Sequence, residues 1–288
     1  HVFVVDNGGT LDGGAVAHPC VTVVRSRNLG GSGGFARGML EVLGRGDGFT
    51  HVLLMDDDVA FHPGLARRLH ALLGILRPEF HGYAVGGAML MMERPCVQWE
   101  NGALYGWPGM RGIGRGLDLS QAGAVAGNMG LPSGDFNGWW CCCMPLGAVR
   151  RGGLPLPLFI KFDDIEYGMR LFRGRFIHLN GIAVWHPGIG GGQRPYLWYY
   201  TFRNRLVTNA VRYGPLPFYR TLALLCAHLL RRLLDCPYSV EFALCGVEDF
   251  LRGPEFLLSA DAAALNDALV ARAAGLGEGR RCAAWWWL

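Results

Sequence analysis

Three consecutive carboxylates, Asp56-Asp57-Asp58, close the apolar run His51–Met55. Adjacent carboxylates repel one another, and holding them beside an apolar core is costly. A divalent cation removes that cost. Along an extended chain, residues two apart point to the same side. Asp56 and Asp58 can therefore share one hard cation while Asp57 faces away. Mg²⁺ or Mn²⁺ held by few carboxylates keeps positions open for phosphate oxygens of a substrate. A solvated acidic turn with helix-capping aspartates is the alternative. The location at the end of a strand in an α/β sheet, where such sheets bind ligands, favours the cation. A second strand end carries Trp185-His186. An imidazole there either completes a metal shell or is structural.

Further candidates lie elsewhere in the chain. In Phe162-Asp163-Asp164-Ile165-Glu166-Tyr167, Asp163 followed three residues later by Glu166 reads as a capping-box-like helix start. That leaves Asp164 in the first turn as a spare carboxylate, a candidate general base for an alcohol. The stretch Asn28-Leu29-Gly30-Gly31-Ser32-Gly33-Gly34 reads as a glycine-rich loop whose backbone N–H groups can approach phosphate or sugar closely. It is neither a P-loop nor a good dinucleotide fingerprint. Asn137-Gly138-Trp139-Trp140 offers paired indoles, as core or as a stacking platform for sugar rings. The run Trp285-Trp286-Trp287 reads as terminal packing, membrane contact or an irregular end.

Positioning these residues requires strands that alternate with helices. Val2–Val5, Val21–Val24, His51–Met55, Ala84–Met91 and Ile182–Trp185 read as strands, and Phe35–Leu43 and 63–76 as helices. The expected class is α/β with a mostly parallel central sheet. From Pro95 to Ser133 the chain is rich in Gly and Pro with little periodicity and reads as a long loop. A helix is expected over Tyr196–Val211, and apolar helices after Pro215 and Pro217. A boundary near Tyr213 gives a catalytic domain over 1–213 and a helical region over 214–288.

Composition narrows the function classes. With 288 residues, 51% hydrophobic and 17% charged, the chain can bury a large core in one or two domains. A net charge of +4 lacks the basic excess of a nucleic-acid binder, and no nucleic-acid partner is expected. No apolar run reaches the ~20 residues of a membrane span. The helix over Tyr219–Leu234, apolar on one face and edged by Arg220, Arg231 and Arg232, can instead lie on an anionic bilayer or pack in a core or oligomer. The nine cysteines include three in a row and no C-x-x-C pair, which reads as reduced thiols rather than a zinc site or disulfide framework. The expected location is cytoplasmic, with peripheral contact on the inner face of the plasma membrane.

The order of these pieces resembles family 2 glycosyltransferases of the GT-A fold, and most of all the bacterial galactofuranosyltransferases of cell-wall galactan synthesis. The segments that carry the resemblance are Val4-Val5-Asp6-Asn7-Gly8, Arg27–Phe35, Leu54–Asp58, Asn137–Trp140, Pro157–Asp164 with Tyr167-Gly168, Trp185-His186, Phe202–Leu206, Asp249–Leu251 and Gly253–Glu255. The resemblance implies Asp56, Asp58 and His186 as ligands of Mn²⁺ or Mg²⁺, and Asp164 as catalytic base. It places Asp6, Arg27, Asn28, Gly30, Gly31 and Asp57 on the donor side of the site, and Trp139, Trp140, Asp163 and Glu166 on the acceptor side. It further implies a UDP-sugar donor, UDP-galactofuranose above all, and a lipid-linked or cell-envelope glycan acceptor, with inversion by direct displacement. A rhamnosyl- or other hexosyltransferase of the same fold, or an impaired sugar-nucleotide-binding fragment, are the alternatives. A mobile loop is implied at Gly188–Gly192. Family members carry a further βα unit before the Val2–Val5 strand, and galactan polymerases an N-terminal β-rich domain; both are expected to be absent here. Residues 99–133 have no counterpart and are expected to shape the acceptor site.

Overall fold

The structure is a computed structural model that describes residues 1–276 apart from 13, 15, 47, 107–108, 189–193, 216, 233–235 and 237. Among the described residues the chain runs β1 (Val2–Asp6), β2 (Val21–Arg25), α1 (Gly30–Arg45), β3 (His51–Leu54), β4 (Ala60–Phe61), α2 (Leu65–Ile75), β5 (Ala84–Met91) and β6 (Arg94–Glu100). It continues through β7 (Ala103–Gly106), β8 (Gly109–Gly112), α3 (Ala122–Asn128), β9 (Cys142–Pro145), α4 (Leu146–Gly152), α5 (Asp163–Phe172) and β10 (Phe176–His186). It ends with α6 (Leu197–Tyr213), α7 (Phe218–Arg232), α8 (Tyr238–Leu251), α9 (Pro254–Ser259) and α10 (Ala262–Gly275). The expected α/β class is observed. The described residues form two compact units, one of residues 1–45, 154–166 and 194–276, the other of 46–153 and 167–188. No helix among them is long and apolar enough to cross a membrane.

The second unit is built on a six-stranded sheet of order β3-β9-β5-β10-β4, with β6 also paired to β5. β5 is buried along nearly its whole length. It pairs with β10 in parallel, and with β9 and β6 antiparallel. The mostly parallel sheet that the sequence suggests is therefore corrected to a mixed one. Among the described residues, parallel pairing is confined to β5–β10 and to β1–β2 of the first unit. Strands buried on both faces read as apolar runs in either direction, so the pattern hides their sense. The tight turn at Met92-Glu93 forces β6 to run back along β5. Helix α2 buries Leu65 and Leu69, with Leu72 and Leu73 partly buried, at the i, i+4, i+7, i+8 spacing of one face, against Val85, Cys141, Cys143, Ile182 and Val184.

The segment expected as a long loop over Pro95–Ser133 is also corrected. It holds β6, the β7–β8 hairpin and α3. Short strands rich in glycine show no alternation, and their order comes from long-range bonds. Gln98 N–H donates to the Leu117 carbonyl at 2.9 Å, and its side-chain amide reaches Gly114 O at 2.9 Å and Asn128 Oδ1 at 3.0 Å.

In the first unit, α1 packs on β1, which pairs in parallel with β2. The glycine-rich stretch expected as a loop is the start of α1 from Gly30 onward. Glycine is a poor helix former, so one local and one long-range side-chain bond hold this turn. Asn28 Oδ1 accepts from Gly30 N–H, and Asn7 donates to Gly30 O. A larger aromatic core joins Phe159 to Trp198, Tyr199, Tyr200 and Phe202 of α6, Phe242 of α8 and Leu269 of α10. A Cβ at Gly246 would lie 2.4 Å from Tyr199 O, so this glycine allows α6 and α8 to approach closely. The cysteines expected as reduced thiols are free at 20, 96, 141–143, 226 and 245, but Cys236 is disulfide-bonded. Spacing alone does not reveal such a pairing. The segments at 189–192 and 285–287, singled out by sequence, lie outside the described residues.

The fit around β5 yields a stability prediction. A Cβ at Gly86 would lie 2.4 Å from Asn137 Oδ1 and 2.5 Å from His178 Nε2. Asn137 is fixed by donating to Gly138 O and Cys141 O, so it does not yield easily. Gly86→Ala is expected to lower stability by about 1–3 kcal/mol through overpacking, read as a lower urea midpoint at unchanged slope.

Candidate active site

The acidic turn follows β3, which delivers Asp56 half-buried and Asp57 and Asp58 exposed. Just beyond the turn, β4 pairs antiparallel with β10 in a register that sets Ala60 opposite Trp185. Asp58 precedes Ala60 by two residues and His186 follows Trp185, so the register carries both to one end of the sheet. Ligand atoms of Asp56, Asp58 and His186 lie within 4.8 Å of one another. His186 Nε2 is 3.2 Å from Asp58 Oδ1, and its Nδ1 is 2.6 Å from the Pro187 carbonyl. Both ring nitrogens thus face acceptors. Donation from Nδ1 to the carbonyl leaves the Nε2 lone pair toward Asp58, an arrangement that a cation between them satisfies. Two carboxylates and an imidazole suit Mn²⁺ or Mg²⁺, and the 54% exposed Asp58 side chain keeps the site open to further oxygen ligands. The sequence therefore named three residues that the fold brings together within one unit.

Asp163, Asp164 and Glu166 occupy the first turn of α5, as the sequence suggests. Asp163 and Glu166 are buried, and Asp164 is half-buried with Oδ1 accepting from Ile165 N–H at 2.8 Å. The segment before them is unusual. Phe159, Lys161 and Phe162 have φ of 71°, 67° and 68°, a conformation that costs non-glycine residues roughly 1–2 kcal/mol each.

The other expected residues are placed as follows. Asp6 is buried and its two oxygens accept from Thr10 and Leu11 N–H, both at 3.3 Å, closing the turn after β1. Arg27 is exposed and pairs with Asp261, the N-cap of α10. Trp139 is buried and meets Tyr167 edge-to-face with centroids 6.0 Å apart. Trp140 is half-buried and donates to Gly87 O at 3.1 Å. A Cβ at Gly138 would sit 2.2 Å from the Trp140 ring, so glycine lets that indole fold over the backbone.

Sequence reasoning passed over Glu93. Its Oε1 accepts from Gly188 N–H at 2.8 Å, tying down the chain just after His186. That backbone bond holds its carboxyl below the usual range. A lone Glu in a turn gives no signal of such a contact. Asn204 and Arg203 of α6, which the sequence marks with no role of their own, are both buried and bond the 158–161 segment.

With this geometry in view, the relatives are informative. No protein-family model matches the chain. It is 32% identical over 283 residues to galactofuranosyltransferase GlfT2 of Mycolicibacterium smegmatis, covering 91% of this chain and 42% of the relative. It is 32% identical over 251 residues to GlfT2 of Mycobacterium tuberculosis, covering 81% and 39%. It is 30% identical to galactofuranosyltransferase GlfT1 of Mycobacterium tuberculosis over 71% of each chain. A solved mannosyltransferase, PcManGT from Pyrobaculum calidifontis in complex with GDP-Man and Mn²⁺, aligns at 16% identity and a TM-score of 0.46, covering 94% of this chain and 70% of that one. The chain belongs to the galactofuranosyltransferase family of glycosyltransferases. It spans about two fifths of the length of the GlfT2 relatives it matches.

Burial shifts two ionisable groups of the second unit in opposite directions. Burial pushes the Glu100 carboxyl up to about 7, against the opposing pull of Arg115. A carboxyl raised in the fold stabilises it fully below its ordinary value near 4.5, and that contribution is lost as pH rises through about 7. Burial pulls His178 down to about 4, which has the opposite sign: its contribution is full above 6.5 and is lost as pH falls through about 4. Glu100→Gln is therefore expected to gain stability relative to the parent between pH 5 and 8, by up to ~3 kcal/mol, in denaturant titrations at stepped pH.

Proposed function

We propose that the chain carries a GT-A glycosyltransferase site that moves galactofuranose from UDP-galactofuranose to a hydroxyl of a lipid-linked or cell-envelope glycan, with inversion. Residues 1–213 would form the catalytic domain and 214–288 a helical region. The observation that carries this reading is the Asp56–Asp58–His186 cluster in a chain related to GlfT2 and GlfT1. A bound Mn²⁺ or Mg²⁺ would neutralise the donor diphosphate and stabilise the departing UDP. Asp56, Asp58 and His186 hold that ion, and Asp57 faces the donor. Asp6, Arg27, Asn28, Gly30 and Gly31 serve the nucleotide. Trp139, Trp140, Asp163 and Glu166 serve the acceptor. Asp164 takes the proton from the acceptor hydroxyl, which attacks the anomeric carbon opposite UDP. Attack by the acceptor hydroxyl itself, with Asp164 as its base, is direct displacement with inversion.

The test is transfer with Mn²⁺, with product mass read over a panel of UDP- and dTDP-sugars. Asp164→Ala is expected to lower kcat by ~10²–10⁴-fold. Asp58→Ala is expected to weaken Mn²⁺ binding by about tenfold or more in calorimetry. Full activity in both variants, or a preferred donor other than UDP-galactofuranose, overturns the corresponding part of the reading.

A peripheral membrane contact belongs to the same proposal. On α7, Phe218, Tyr219, Leu222 and Leu230 are exposed at 77%, 65%, 46% and 76%, on a helix that also carries Arg220 and Arg231. Apolar side chains flanked by arginine suit an anionic bilayer surface. The chain is expected to float with anionic liposomes at low salt, and less so for Phe218→Ser/Leu230→Ser. No flotation at low salt removes this contact.

A further inference from the structure

The strained segment before Asp164 is anchored from α6 by Asn204. Left-handed backbone at three non-glycine residues persists only where the surroundings over-determine it. The side-chain amide nitrogen of Asn204 lies 2.9 Å from each of the carbonyls of Leu158, Ile160 and Lys161. An amide offers only two N–H donors, so three carbonyls are drawn onto one group and the segment must curl around it. The amide itself cannot flip. Its Oδ1 accepts from Arg203 Nε at 2.9 Å, which turns the NH₂ end toward the segment. Arg203 Nη2 adds a bond to Leu158 O at 2.9 Å, and its Nη1 donates to Tyr199 Oη, which donates to Asp249 at 2.7 Å.

The other side of the segment is held as firmly. Ser32 N–H donates to Phe159 O at 3.1 Å and Ser32 Oγ to Leu156 O at 2.6 Å. A Cβ at Gly30 would lie 2.1 Å from Phe159 O. The Phe159 ring stacks on Tyr200 with centroids 5.3 Å apart and planes 17° apart. The last carbonyl of the segment, Phe162 O, accepts from Glu166 N–H at 2.8 Å and so sets where α5 begins. Asp164 lies two residues beyond it. Asn204 is 0% exposed and cannot meet a substrate.

We propose that Asn204, oriented by Arg203, is a positioning residue that fixes the curl of residues 158–162 and through it the aim of Asp164. This inference rests on the reading of Asp164 as the base. Displacing a reacting group by about 1 Å can cost ~10²-fold in rate.

The experiment uses the full chain, well below its melting temperature, with four variants. Asp164→Asn tests the base itself. Asn204→Ala removes the shared donor. Arg203→Lys keeps the charge but loses the Nε donor that orients Asn204. Leu206→Ala truncates another buried side chain of the same helix and serves as the control for a general loss of stability. Asn204→Ala is expected to lower kcat by ~10–100-fold, with KM for the donor changed less than about threefold and Mn²⁺ affinity unchanged. Arg203→Lys is expected to lose about 3–10-fold in kcat and carries the test if Asn204→Ala does not fold. Leu206→Ala is expected to melt lower but keep its kcat. An active Asp164→Asn removes the base reading and this proposal with it. An inactive Asp164→Asn beside Asn204→Ala and Arg203→Lys of parental kcat overturns this proposal alone. So does a kcat loss in Asn204→Ala no larger than in Leu206→Ala.

Discussion

The pairing of β4 with β10 is a contact of two residue pairs, Ala60 with Trp185 and Phe61 with Val184. The acidic turn depends on it. Without that register, Asp56 and Asp58 would be two carboxylates at a loop with nothing but repulsion between them. With it, an imidazole from a distant part of the chain closes the set. β10 is itself fixed by its long parallel pairing with the buried strand β5. Glu93, in the turn between β5 and β6, then secures the chain beyond His186. The rest of the second unit can be understood as the packing needed to hold these two strand ends level.

The first unit meets a different demand. It must hold a sharply curled backbone segment with non-glycine residues at positive φ. Hydrogen bonds to buried carbonyls are the means. In an apolar interior an unpaired carbonyl is costly, so each one that finds a donor adds to the constraint. Asn204 and Arg203 supply donors from α6, and Ser32 supplies them from α1. The aromatic cluster around Tyr199, Tyr200 and Phe242 keeps α6 in place. The buried Asn204 and Arg203 of α6 are thus tied to the backbone of another segment rather than to solvent.

The legibility of the sequence followed the range of the forces involved. Apolar runs marked β1, β2, β3 and β5 within a residue or so, because burial leaves a local pattern. Helix α5 could be anticipated from Asp163 and Glu166, since acidic residues favour a helix N-terminus. Strand direction left no such trace, and neither did the β7–β8 hairpin, whose partners supply its order. The glycines at 30–34 read as a loop because propensity is the only local signal there, and tertiary bonds override it.

Sequence alone determined which residues could do chemistry. Carboxylates at a strand end, a histidine at another and a spare acid at a helix start are choices of residue type, and type is read directly. It also determined family membership, because residue order carries ancestry. Only the tertiary structure decided that Asp58 and His186 lie 3.2 Å apart, and that Asn204 gathers three carbonyls. The reason is physical. Strand register and shared donors join residues far apart in the chain, and a local pattern does not encode which distant partner satisfies a buried polar group.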